Sequence, residues 1–148
     1  MNIFMPGDIL LPQEHLLDRW PVIACDQFTS DPDYWKRVRA FTENVPSAMH
    51  LILPEAELGA ADEEEKIESI HNAMDQYIND GILRIFPNSY IYVERTLQNG
   101  MVRPGLVGVV DLESYDYHHD SQSLIRATEK TVLERIPPRQ RVRRGAAL

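Results

Sequence analysis

The stretch "SLIRATEKTVLERIPPRQRVRRGAAL", residues 123–148, gathers the side chains best suited to chemistry in this chain. It holds seven Lys and Arg against two acids, whereas the 122 residues before it hold eight bases and twenty-one acids. Arg126, Arg135 and Arg139 offer planar forks that match two phosphate oxygens at once, Lys130 a point charge, and Thr128 and Thr131 neutral hydroxyl donors. Glu129 stands among them as a carboxylate able to take a proton or to ligate a metal. The mixture suits a small phosphorylated ligand, including a nucleotide with magnesium. Glu129 is then the candidate base or metal ligand, and Asp26 a second catalytic carboxylate. The competing reading is an amphipathic helix with Leu124, Thr128, Thr131 and Leu133 inward and the charges solvated.

Other chemistry-bearing residues are weaker. Cys25 precedes Asp26 where a strand would run into a helix, but a thiolate nucleophile needs a neighbouring imidazole or cationic field, and none is visible locally. A small buried thiol is the plainer reading. In "YDYHHD", Asp116, His118, His119 and Asp120 could meet a divalent ion, yet neighbouring side chains on an extended segment point to opposite faces, so a solvated turn is expected. "GLVGVV" lies inside a strand and opens no helix, which removes the context of a phosphate loop; its glycines mark a bulge or close packing.

Charge and hydropathy narrow the partners. The formal net charge of −8 is divided between an acidic body and a basic end. Nucleic-acid backbones are held by distributed cations, so general nucleic-acid binding is not expected. No apolar run approaches the roughly 18 residues of a membrane span, and "MNIFMPGDILLP" lacks the layout of a signal peptide. With one cysteine, no internal disulfide forms. A cytoplasmic protein follows, and 148 residues predict one domain, its basic tail starting near residue 135.

The elements that must position these groups read as α+β. "WPVIACD" and "AMHLILPE" predict short buried strands. "DPDYWKRVRAFTEN" predicts a helix with Thr29, Ser30 or Asp31 as cap, Pro32 in its first turn, and Tyr34, Trp35, Val38 and Phe41 or Thr42 as its stripe. A second helix follows Asp62 as cap, with a solvated acidic first turn. Its stripe is Ile67, Ile70, Met74, Tyr77 and Ile78, and Gly81 is its stop. "SYIYVERTLQ" and "LVGVVDLESYDY" predict a hairpin about Asn99-Gly100, with Pro104 disturbing the pairing near the turn. The expectation is a mixed or antiparallel sheet with a β-hairpin and two or three packed helices.

"VIACDQFTSDPDYW", "PNSYIYVERTLQNGMVRPGLVGVVDLESYDY" and "SQSLIRATEKTVLERIPPR" together resemble the amino-terminal part of a bacterial family catalogued as a domain of unknown function, number 1015. Other branches carry Arg-His-Glu-x-Thr where this chain has Arg126-Ala127-Thr128-Glu129-Lys130-Thr131. Glu129 and Thr131 correspond, the histidine is absent and one residue is added. Members that resemble this chain are longer, which implies that it is the amino-terminal part of a larger protein. The resemblance also implies, more distantly, a fold similar to the ParB partition proteins and sulfiredoxin, in which basic and acidic groups handle a nucleotide phosphate.

Two functions stay open on the sequence. One is a small-anion or nucleotide-phosphate binding domain, related to phosphotransfer. The other is a non-enzymatic interaction domain whose basic segment docks on an acidic partner or on the rest of its own protein. In either case the cations beyond Pro138 are expected to lack partners within this chain, and Arg126 and Glu129 to be held.

Overall fold

The computed structural model describes residues 3–118, 120–126 and 132–148. The chain gathers into two units, residues 12–84 with 132–148 and residues 1–11 with 85–131.

The first of these units is helical. Helix α1, Pro32–Thr42, starts where the Asp31 side chain accepts the Tyr34 N–H at 3.1 Å and Pro32 supplies a ready φ. Trp35 and Thr42 are buried on it, and the Trp35 indole donates to Gln27 O. Phe41 stays exposed, so Thr42 completes the stripe. Helix α2, Glu63–Asn79, buries Ile67, Ile70, Met74 and Tyr77 at helical spacing and ends at Gly81, whose φ of 66° glycine adopts without strain. Two details depart from expectation. Asp62 makes no side-chain capping bond and pairs with Lys66 instead, and Ile78 lies off the buried stripe. Leu53, Ile67, Ile70 and Met74 form the core cluster, against which Leu51, Leu58, Val142 and Ala146 pack. Burying each of the four cluster side chains contributes about 1.5–3 kcal/mol.

Neither expected strand of this unit forms. "WPVIACD" takes no regular secondary structure, turns at Cys25 and Asp26, and joins the segment 47–55 only near its ends, through Ala48 N–H to Trp20 O and Glu55 N–H to Cys25 O. Between those bonds Ala48–Leu51 coils into a 3-10 turn, and Pro21 and Pro54 have no N–H to give. A ladder therefore has no partner to continue on.

The other unit is built from strands: β1, Phe4–Met5; β2, Gly7–Pro12; β3, Leu83–Ser89; β4, Ile91–Thr96; β5, Val102–Val107; β6, Val109–Val110; β7, Tyr115–Asp116; and β8, Ile125–Arg126. The ends of β2 and β3 carry the chain into the helical unit. Among the described residues these strands pair two by two, as β1–β6, β2–β3, β4–β5 and β7–β8, rather than in one sheet. The hairpin β4–β5 is antiparallel from Ile91↔Val107 to Thr96↔Val102 about the turn at Asn99-Gly100. Pro104 sits within that register opposite Glu94, so the expected irregularity does not occur: every second N–H of a two-stranded ladder points away from the partner. Gly108 is a place of close packing, since a Cβ there would lie 2.7 Å from Met5 O. The architecture is α+β.

Candidate functional site

Helix α3, Ile136–Arg143, begins with Pro137 and Pro138 in its first turn. It is anchored on the core side by Val142 and, just past its end, by Ala146, and Val142 O lies 2.8 Å from His71 Nε2. Arg141 pairs with both Glu63 and Glu64 at the start of α2. Glu63 is buried, correcting the expectation of a fully solvated acidic turn, and it also accepts the Gly59 N–H.

Residues 135, 139 and 143 are four apart, which brings Arg135, Arg139 and Arg143 to one side of this segment. They face a cavity of about 310 Å3 whose apolar wall includes Leu51, Leu53, Leu58 and Val142 and whose polar groups include Cys25 and Glu55. Glu55 is the organising residue. Its Oε1 accepts from Arg139 Nη2 at 3.1 Å, and its Oε2 lies 3.4 Å from Arg135 Nε. Its side chain is only 10% exposed, and its own N–H donates to Cys25 O at 2.8 Å. Among the described residues Arg143 has no ion pair. Three guanidiniums against one carboxylate leave the cavity cationic. Burial pushes the Cys25 thiol above its ordinary value; Arg139 opposes this, while Asp26 and Glu55 reinforce it. Cys25 is thus a neutral wall of the cavity rather than a thiolate.

The expected site residues fall in three groups. Arg135 and Arg139 line the cavity. Asp26 does not line it, and one of its oxygens accepts from Gln27 Nε2. Arg126 lies on β8 in the other unit, where its Nε donates to Ser123 O at 3.1 Å. Thr128, Glu129, Lys130 and Thr131 lie outside the described residues, as does His119. The expectation that cations beyond Pro138 lack partners in the chain is overturned for Arg139 and Arg141, because the acidic body supplies Glu55, Glu63 and Glu64. Glu55 carries no signal in the sequence, where "LPEAE" forms no motif.

The family model described as protein of unknown function (DUF1015) matches residues 6–148. The chain belongs to that family. No curated protein and no solved structure matches it, so the more distant ParB- and sulfiredoxin-like relationship has no comparison behind it.

A second polar cluster in the helical unit proves self-contained. Glu57 takes Arg39 through two bonds of 2.9 and 2.6 Å and Lys66 at 3.1 Å, and Lys66 also reaches Asp62 at 3.0 Å. Burial pushes the Glu57 carboxyl up, but these cations outweigh it and hold it below its ordinary range. Beside them His50 Nδ1 lies 2.6 Å from the Tyr77 hydroxyl, which also accepts the Ser47 N–H at 3.0 Å. Burial and the Arg39 charge keep the His50 imidazole neutral by lowering its pKa. The adjoining cavity, lined by Ser69, Asn72 and Gln76 among others, has its cations already matched by carboxylates. Among the described residues no group of three His, Cys, Asp or Glu could hold a metal ion, and no helix is long and apolar enough to cross a membrane.

Proposed function

We propose that this DUF1015 chain binds a small phosphorylated molecule, with a nucleotide phosphate as one form, in the cavity between α3 and the Leu51–Leu58 segment. The observation that carries this reading is the convergence of Arg135, Arg139 and Arg143 on a cavity holding one carboxylate, Glu55. Guanidinium forks match phosphate oxygens, and the excess of positive charge is unfavourable until an anion joins it. The apolar wall suits the organic part of the ligand, and a cavity of about 310 Å3 is at the small end of ligand pockets. Glu55 serves here as a counter-ion, with a guanidinium at each of its oxygens.

A thermal-shift screen of nucleotides and phosphorylated metabolites tests the proposal. Phosphate compounds should raise the melting temperature of the natural chain more than their unphosphorylated counterparts do. Arg139→Gln and Arg143→Gln should each remove most of that difference. Shifts that are unchanged in both variants would place binding elsewhere.

A further inference from the structure

We infer that Glu55 is a built-in occupant of the anion position and sets the charge class the cavity accepts, a dianionic phosphate monoester in preference to a monoanionic carboxylate. This inference rests on the reading of the cavity as an anion site and goes beyond it by naming the residue that selects.

Arg135 and Arg139 come from successive turns of one segment, and each addresses a different oxygen of the same carboxylate, as two guanidiniums would divide the oxygens of a bound ligand. Glu55 opens a 3-10 turn directly after Pro54, and its backbone is tied to Cys25 O at 2.8 Å. Its anchor is therefore fixed, and the part able to leave is the side chain. A free carboxylate brings the same charge as Glu55 without the tether, and a tethered group competes at an effective concentration in the millimolar range. A monoanion is thus held off.

A phosphate monoester differs in two ways. It carries close to two charges near neutral pH and presents three terminal acceptor oxygens. It can take both guanidiniums that Glu55 holds and engage Arg143, which also lines the cavity and has no ion pair among the described residues. Displaced toward solvent, the Glu55 carboxylate regains hydration. The selection is electrostatic: the tethered charge excludes ligands that offer no more than it does.

Isothermal titration of the full chain with phenyl phosphate and with benzoate, which share the ring and differ in the anion, tests this. The natural chain should bind phenyl phosphate and show no heat with benzoate at millimolar concentration. Glu55→Gln, nearly isosteric and uncharged, should bind phenyl phosphate at least tenfold more tightly and should now bind benzoate; Arg139→Gln should bind neither. If Glu55→Gln leaves phenyl phosphate affinity unchanged while Arg139→Gln abolishes it, the anion site stands and the role given to Glu55 is wrong. If Arg139→Gln binds as the natural chain does, or nothing binds to any of the three, the anion site itself falls and this inference with it. Circular dichroism checks each fold. Should Glu55→Gln fail to fold, Glu55→Asp replaces it, the retracted carboxylate being expected to give the same gain in smaller measure.

Discussion

Arg141 is ion-paired to Glu63, a buried carboxylate 78 positions earlier that also accepts the Gly59 N–H. This relationship ties the last helix to the first turn of α2. Replacing Arg141 by Met keeps the unbranched apolar stem of the side chain but leaves Glu63 without its cation, and an uncompensated buried acceptor costs about 1–3 kcal/mol. Glu64→Ala removes the exposed half of the same pairing and should cost less than about 1 kcal/mol. Urea unfolding of the two variants makes the comparison; equal losses would mean that Glu63 does not depend on Arg141.

The buried stripe of α2 makes a second contrast. Ile70 is 5% exposed within the core cluster, whereas Ile78, two turns further along, is 38% exposed. Ile70→Ala should cost about 2–5 kcal/mol, and Ile78→Ala no more than about 1. Chemical denaturation giving Ile78→Ala the larger loss would show that the helix presents another face.

What the sequence could disclose follows from the range of the forces involved. Helices α1 and α2 were legible because Asp31, Pro32, Gly81 and the apolar stripes act within a few residues of one another. The hairpin was legible from Asn99-Gly100 between two β-branched runs. "WPVIACD" misled because a buried strand depends on a partner, and the partner segment coils at Ala48–Leu51. The cavity was half legible: Arg135 and Arg139 stood out by charge, but Glu55 meets Arg139 across 84 residues, and an ion pair at that separation leaves no local pattern. The sequence shows no cation beside Cys25 because Arg139, which acts on it, comes from the far end of the chain.

His50 gives the helical unit a pH dependence whose sign is fixed by the direction of its shift. Its pKa is lowered in the folded chain by burial and by the Arg39 charge, and its Nδ1 faces the Tyr77 hydroxyl. The unfolded chain takes up the proton near pH 6.5, before the folded chain does. Stability from the neutral imidazole is therefore fully present above about pH 6.5 and is lost as pH falls through the lower folded-state value. Unfolding free energies measured from pH 7.5 downward to 5 should fall for the natural chain and fall less for His50→Gln. Parallel curves would mean that His50 does not contribute to this pH dependence.

On the hairpin, Arg95 stands directly across from Arg103, and among the described residues neither has an ion pair. Like charges opposite one another weaken a ladder, and an opposite pair contributes about 0.2–1 kcal/mol. Arg103→Glu should raise stability, Arg95→Glu should do the same, and the double substitution should cancel the gain. Additive gains in the double variant would show that the two side chains do not sense each other.

Cys25 offers a direct reading of the field inside the α3 cavity. Burial is the main reason its thiol pKa is raised, with Arg139 pulling downward and Asp26 and Glu55 pushing upward. Only the thiolate attacks a disulfide reagent, so the reaction rate reports the balance of these charges. The natural chain should react with 5,5′-dithiobis(2-nitrobenzoate) more slowly than glutathione at the same pH, because burial both limits access and disfavours the thiolate. Glu55→Gln removes a carboxylate and releases Arg139 from its partner, so it should react faster than the natural chain. Arg139→Gln removes the cation and should react more slowly. Glu55→Gln matches the residue it replaces in size, and Arg139→Gln, which is shorter, can only widen access to the sulfur, so a slower reaction of Arg139→Gln reports charge. The order Glu55→Gln, natural chain, Arg139→Gln from fastest to slowest is the expected outcome in stopped-flow measurements at pH 8. The reverse order, or three equal rates, would mean that Arg139 and Glu55 do not act on the sulfur and that the cavity is not built as described.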